Sequence, residues 1–437
     1  MYPSYVLLAL VCAASLSAQG SCVQLGAFRS VGQLPANLPS GALQEVSGLE
    51  ASRMNPGILW AHDDHGNSNE VVAITRSGAV AQVYSLGSIN NGDWEDIAIG
   101  PGPEKGRDYI YLADIGNNDL AFTFFTLIRF PEPLVPKTPG STVVITSPEL
   151  FTFRYPNQTH DAETLLIDPV DGRPYVLTKE KNSSGTAYLY EYPLPLDSVN
   201  VKTLRLAAAF SHSAPKFSGG DVSQDGAWVF VRNDSSVYVY SRGVATNSFA
   251  SAFTNSAWCV FAAANQGNAE SLTVAESELG VRIYTTSEAV GAPILESIAT
   301  LPTGVVALAS WWNFGSPLDS PRHGTPTLSA VPVPSLGAAL SIQLGSARPS
   351  ASIAIGFDVT ALPDGAVRLG SGWAHVIPTL LLFGGTSLQG QATIALGTVP
   401  KDPGLLGFRL HAQGAVDEPS APDRMALTRG LSLQVGR

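Results

Sequence analysis

Between about residue 43 and residue 300 the chain is built from short apolar runs rich in Val, Ile, Tyr and Phe. Turn formers separate them, including Asn55-Pro56-Gly57, Asp171-Gly172 and Asp225-Gly226. Such runs suit a pleated, half-buried surface and predict strands. No long segment with a 3.6-residue period follows the N-terminus, so the expected class is all-β.

The runs recur in a fixed order. A polar or acidic motif leads each unit: Glu45-Val46-Ser47-Gly48-Leu49, Asp93-Trp94-Glu95-Asp96-Ile97, Asp161-Ala162-Glu163-Thr164-Leu165, Gly219-Gly220-Asp221-Val222 and Asn268-Ala269-Glu270-Ser271-Leu272. Second runs follow at 58–62, 109–113, 174–178, 227–231 and 280–284. Third runs lie at 70–75, 122–130, 187–192 and 235–240, and fourth runs at 80–86, 142–152 and 204–210. Four strands per unit, repeated about five times, predict a β-propeller, because one such sheet buries its faces only by stacking on neighbours. The long interval between Asp96 and His160 leaves room for a sixth blade. The segment 24–32 is expected to supply the outer strand of the last blade and close the ring.

Past Trp312 the texture changes. Residues 316–327 are rich in Pro, Ser and Gly and read as a linker. Short alternating strands with few polar functional residues then predict a small β-sandwich over 328–437. The expected organisation is a signal peptide at 1–20, a propeller over 21–315, the linker and the sandwich.

Composition agrees with a large buried core: of 437 residues, 45% are hydrophobic and 14% charged. The net charge of −11, without a Lys/Arg cluster, argues against nucleic acid and anionic membranes as partners. The apolar stretch 6–16 and the small residues at 15–18 read as a secretory signal, too short to span a bilayer. The expected product is secreted or cell-surface, without a membrane span, and monomeric. Cys22 and Cys259 would remain after export. Cys259 falls in the predicted outer strand of the fourth blade and Cys22 begins that of the fifth, so a disulfide pinning the closure is expected, with two separate buried thiols as the alternative.

The repeated motif carries the candidate chemistry. In a propeller the innermost strands surround the axis, so Glu45, Asp93, Glu95, Asp161, Glu163, Asp221 and Glu270 would gather near one mouth. Clustered carboxylates need a cation, Lys or Arg partners, or protons. Oxygen-rich clusters suit calcium. The alternatives are acids that bond backbone N–H groups of the next blade, and acids that share protons. Lys179 and Arg232 are candidate clamps for an anionic ligand. His160 and Glu163 are candidates for handling a proton. The loop positions His62 and Asp114 are further candidates for ligand binding. His62 and His65 could also ligate a transition metal, with a solvated turn as the alternative. GxSxG, P-loop and HExxH motifs are absent.

On Glu45-Val46-Ser47-Gly48-Leu49, Leu59-Trp60-Ala61-His62-Asp63, Asp93-Trp94-Glu95-Asp96-Ile97, Asp114-Ile115-Gly116-Asn117-Asn118, Asp161-Ala162-Glu163 and Gly220-Asp221, residues 43 to about 290 resemble uncharacterised secreted bacterial propellers, loosely phytase-like and esterase-like. The tail from about 325, with Val399-Pro400-Lys401-Asp402-Pro403-Gly404 and Leu410-His411-Ala412-Gln413, resembles a C-terminal β module of exported planctomycete proteins. The resemblance implies a propeller and a surface or export role for the tail. Three functions remain as expectations: a propeller that binds a divalent cation and a small or extended extracellular ligand, a metal-dependent hydrolase of phosphate esters or lactones, and a structural surface protein.

Overall fold

The computed structural model describes residues 22–434 except 36–37, 39–42, 67, 105–106, 137, 181–184, 214–215, 243–247, 255–256, 258, 264–265, 278–279, 302–309, 315–324, 332–333, 336–337, 359–366, 370–371, 375, 377, 379, 400–408 and 422–423. The expected signal segment and most of the expected linker lie outside the described residues. The protein is all-β, and the chain divides into two units. One holds Cys22–Pro103 and Asp108–Leu301, the other Pro302–Arg437.

Among the described residues the first unit has five sheets. The first runs Val46–Ala51, Ile58–Asp63, Glu70–Thr75, Val80–Ser85, with Val143–Val144 added at its edge. The second runs Trp94–Pro101, Asp108–Asp114, Phe125–Pro131, Glu149–Arg154, with Lys202–Thr203 at its edge. The third is Ala162–Ile167, Pro174–Thr178, Thr186–Glu191, Arg205–Ser211, and the fourth Gly219–Val222, Trp228–Arg232, Ser236–Ser241, Cys259–Ala262. The fifth is Ala269–Ser277, Gly280–Ser287, Pro293–Thr300 and, last, Val23–Gln33, so the start of the described chain completes the sheet made last.

The interval between Asp96 and His160 makes three strands of the second sheet and an edge strand of the first. The single run expected at 142–152 is two strands in two sheets. Pro148 stands between them, where it cannot donate to a ladder.

The first strands of the five sheets adjoin one another in a closed cycle, each beside the next and the fifth beside the first. Val46–Ala51 and Ala162–Ile167 are buried at every position, which is why these strands read as unbroken runs rather than alternating ones. Glycine permits close approach: a Cβ on Gly219 would stand 2.4 Å from the Glu270 carbonyl oxygen.

Apolar clusters join neighbouring sheets. Trp60 and Tyr84 pack with Trp94, Ile110 and Phe130 between the first and second. Tyr111 and Phe153 meet Leu165 and Tyr190 between the second and third. Leu177 and Leu189 meet Val229 and Val231 between the third and fourth. Tyr284 and Ile294 meet Leu49 and Leu59 between the fifth and first. The fourth and fifth sheets are bridged by polar contacts and by a Cys22–Cys259 disulfide, with Cα atoms 6.1 Å apart.

In the second unit, Thr327–Val331, Ala339–Gly345 and Ala392–Thr398 form one sheet. Ser310–Phe314, Gly430–Gln434, Arg409–Asp417, Ser352–Asp358 and Leu380–Gly385 form another. Leu328 and Ile342 of one share a core with Ile355 and Leu431 of the other, a sheet-on-sheet packing. Ser310–Phe314, within the first region as read from sequence, pairs with the last strand here.

Candidate functional site

Four of the five inner strands break register at the same level. The shifts fall between Val46 and Gly48, Trp94 and Asp96, Ala162 and Thr164, and Ala269 and Leu272. The skipped residues are Ser47, Glu95, Glu163, and Glu270 with Ser271. Bulges re-aim side chains at rims and sites. A second repeated contact fixes the neighbouring loops. The backbone N–H of Asp64, Lys179 and Glu288, each just past a second strand, donates to Glu45, Asp161 and Asn268. These two devices assemble one mouth from separate sheets.

At this mouth Asp64, Asp93 and Glu95 each place an oxygen within 4.8 Å of the others. The Ser47 hydroxyl donates to Glu95 at 3.1 Å. Lys179 contacts Glu163 and lies 3.9 Å from Glu270. Burial pushes the Glu95 carboxyl well above its usual range, and the Glu163 and Asp64 charges push it further. Burial and the Glu270 charge do the same to Glu163, against the pull of Lys179. Asp93 is pushed up to about 6 by burial and Asp64, and Glu288 to about 7 by burial and Asp64. Burial opposes the charge on Lys179, yet Glu163 and Glu270 hold its ammonium above the usual value. Carboxyls therefore outnumber cations here. One oxygen of Glu163 is buried without a hydrogen-bond donor.

Asp221 lies in a deeper layer. The fourth inner strand has no bulge, and Asp221 pairs in register with Phe230, two residues below Arg232. Its oxygens accept from Val222 N–H at 2.6 Å and Val274 N–H at 2.8 Å. Asp96 and Glu50 act alike: Asp96 accepts from Leu165 N–H at 2.8 Å and Glu50 from Ile99 N–H at 3.3 Å, each on the next sheet. These acids bond the inner strands to one another, which is the backbone-bonding alternative for Asp221.

The other candidates separate. Glu45 is exposed at the margin, its backbone N–H held by Asp63 at 2.6 Å. Asp161 is buried and accepts from Asn117 N–H at 2.9 Å. Asp114 turns to backbone, accepting from Asp93 N–H at 2.8 Å, so it fastens a loop as Asp63 does. His62 is fully enclosed, bonds the Asp63 carbonyl at 3.0 Å, and packs edge-on to Trp94. Burial lowers its pKa to about 4. It faces no opening, because it sits directly under Gly48. His65 is exposed and bonds the Gly92 carbonyl.

Arg232 is also fully enclosed. It donates to the carbonyls of Ser271 at 3.1 Å and Thr286 at 3.3 Å, and burial pulls its pKa down to about 10. It clamps the fifth sheet rather than an open site. His160 has both ring nitrogens engaged: Nδ1 with Glu180 at 2.9 Å and Nε2 with the Tyr190 hydroxyl at 2.9 Å. A base so occupied cannot take a substrate proton without rearranging.

Sequence reasoning missed Asp64 and Glu288 as members of the mouth. Their shared position just past a second strand, aligned with Lys179, was a signal. It also missed Glu180, whose pairing with His160 depends on tertiary structure.

No protein-family model and no curated protein matches the chain. Among solved structures, one titled "Crystal structure of glucose dehydrogenase" aligns over 62% of this chain and 99% of its own, at 10% identity and a TM-score of 0.33. Another, titled "glucose dehydrogenase", aligns over 62% and 98%, at 10% identity and a TM-score of 0.34. Superpositions this loose transfer nothing to this chain.

Proposed function

We propose that the first unit is a five-bladed β-propeller of an exported protein, that it binds a divalent cation at the acidic mouth, and that it presents an extracellular ligand site beside it. Three features support five blades: five sheets, a closed cycle of inner strands, and a last sheet completed by the start of the described chain. The disulfide is compatible with an oxidising compartment. No described helix is long and apolar enough to cross a membrane.

One observation carries the cation reading. Bulged strands and post-strand loops bring Asp64, Asp93 and Glu95 within ligand distance of each other, in a layer where carboxyls exceed cations. The donors are all oxygen, and calcium accepts six to eight such ligands at flexible geometry. Calorimetric titration of metal-stripped protein with calcium tests it. Saturable binding that weakens in Glu95→Gln supports the reading. Heat no different from buffer, with an unchanged melting curve, removes it.

The hydrolase reading loses His160 as its base and rests on the cation with Glu163. The cavity that opens beside the mouth, lined in part by Lys179 and Asp161, favours keeping it as a second reading. A phosphatase, esterase and lactonase panel with Glu163→Gln as control tests it. No turnover on any of them excludes it.

A further inference from the structure

A cavity of about 320 Å³ opens where residues 158–161 meet the loop after Asp108–Asp114 and the Lys179–Glu180 pair. Asn117, next to the lining residue Asn118, anchors the loop. Its side-chain NH₂, with two protons to give, lies within hydrogen-bond distance of Phe122 O at 3.1 Å, Thr159 Oγ1 at 2.9 Å and His160 O at 3.2 Å, and its Oδ1 accepts from Phe122 N–H at 2.9 Å. The Thr159 hydroxyl donates back to Phe122 O at 2.6 Å. The loop is thus tied to the opposite wall on both sides of Leu120.

What this tied loop displays is unusual. Leu120 lines the cavity with a φ of 54°, a left-handed conformation that a branched apolar side chain rarely adopts. It is 55% exposed, and Phe122 and Phe124 are each 56% exposed. Backbone strain and three apolar side chains in solvent are both unfavourable. Such features persist where surrounding bonds enforce them, and they concentrate at binding sites. Here the enforcing bonds are those of Asn117. The cavity therefore has apolar Leu120 in its lining, with Phe122 and Phe124 exposed further along the same loop, and a wall that bears the polar groups of Asn118, Gln158, Thr159, Asp161 and Glu180.

We infer that this cavity, with Leu120 in its lining and the exposed Phe122 and Phe124 of the same loop serving as its apolar rim, forms a binding site for a neutral saccharide, a unit within a longer glycan chain. A pyranose offers carbon–hydrogen faces to the rim and hydroxyls that both donate and accept to the polar wall. Two carboxylates in the wall turn anionic ligands away, and Lys179 is already held by Glu163. The cavity is at the small end of ligand pockets, about 300 Å³ upward, and fits one ring with the chain continuing over the rim. The inference deepens the proposed ligand site by naming its class. It rests on the loop and the cavity, not on the cation.

The test is electrophoresis of the full chain through native gels containing barley β-glucan, galactomannan, xylan, polygalacturonate or chitosan. Each run is made with calcium and with EDTA. Retardation by at least one neutral polysaccharide, lost by at least tenfold in apparent affinity in Phe122→Ser/Phe124→Ser and in Gln158→Ala, is expected. These side chains are exposed, so unchanged melting curves show that the variants fold. Retardation by no neutral polysaccharide overturns the inference. So does retardation by chitosan or polygalacturonate alone, or retardation that the variants leave intact. Retardation unaffected by EDTA, together with an absence of calcium binding, would defeat the cation reading and leave the saccharide site standing.

Discussion

Glu50 and Asp221, from the first and fourth sheets, meet at one hydroxyl: Thr273 Oγ1 lies 3.0 Å from Glu50 Oε2 and 2.9 Å from Asp221 Oδ2. That oxygen also accepts from Ala51 N–H at 2.8 Å. A hydroxyl has one proton to give, so it cannot donate to both carboxyls. Asp221 already accepts from two backbone N–H groups, whereas among the described residues one backbone N–H, that of Ile99 at 3.3 Å, donates to Glu50. The chain of bonds closes when Glu50 is protonated, donates to Thr273, and Thr273 donates to Asp221. Burial and the Asp221 charge push Glu50 well above its usual pKa, against the pull of Arg53 and with Asp96 adding to the rise.

A pH dependence follows from this. A carboxyl whose folded pKa is raised stabilises the fold fully below its unfolded value, near 4.5, and loses that contribution as pH rises through the folded value. Glu50→Gln keeps the donor and cannot ionise. Its melting temperature is expected to match the wild type at about pH 4–5 and to exceed it increasingly toward alkaline pH. Asp221→Asn presents an amide to backbone donors and is expected to lose about 1–3 kcal/mol at every pH. Calorimetry from acid to alkaline pH checks both. A constant gap between Glu50→Gln and wild type would place the proton elsewhere.

The disulfide closes the seam between the sheets made last. Its cysteines are 237 residues apart, so the bridge restricts a long loop in the unfolded chain. The pair Cys22→Ser/Cys259→Ser is expected to lose about 2–5 kcal/mol. Because neighbouring seams have apolar clusters, the loss should appear first as opening of the fourth-to-fifth seam. Hydrogen exchange that rises earliest in Val23–Gln33 and Cys259–Ala262 is the expected pattern. A uniform rise across all five sheets would contradict it.

Much of this architecture is legible in the residues. Inner strands repeat an acidic motif, and the alternation of the outer ones marks strands half in solvent. Glu95, Glu163 and Glu270 could be matched because each stands third in its repeat. Asp221 looked equivalent and is not. Its strand carries Gly219 and Gly220 where others carry a bulge, and register shifts of one residue are invisible in an unpaired sequence. His62, Arg232 and Asp114 looked like loop chemistry because polar residues after a strand usually meet solvent. Here they meet the carbonyls, N–H groups and rings of neighbouring strands. Asn117 was visible as a loop residue, but its role depends on Thr159 and His160 lying opposite, about forty positions away.

The mouth supplies a prediction in two directions. Glu95→Gln removes one proposed cation ligand and is expected to weaken calcium binding by about tenfold or more, about 1.4 kcal/mol. Lys179→Met removes the ammonium that neutralises Glu163 and Glu270. It is expected to strengthen calcium binding, because the local field becomes more negative. Titration calorimetry on both variants reads the two signs. Weakening by both would mean that Lys179 holds the site's shape and that its charge is secondary.

His160 is expected to matter for the fold and not for a reaction. It is buried between Glu180 and Tyr190, and its ring also packs on Tyr155 with centroids 4.9 Å apart. His160→Ala leaves a buried carboxylate and a buried phenol without their shared partner. Losing that partner costs about 1–3 kcal/mol for each group, and the cavity adds to the loss. His160→Gln can still donate to Glu180 and accept from Tyr190, and is expected to recover at least half of that loss. If His160 instead took a proton from a substrate, Gln would restore stability and leave turnover abolished. Chemical denaturation of the two variants, with the esterase and phosphatase panel run on the better folded one, separates the roles. Any turnover in the wild type that vanishes in a fully stable His160→Gln would return His160 to the chemistry.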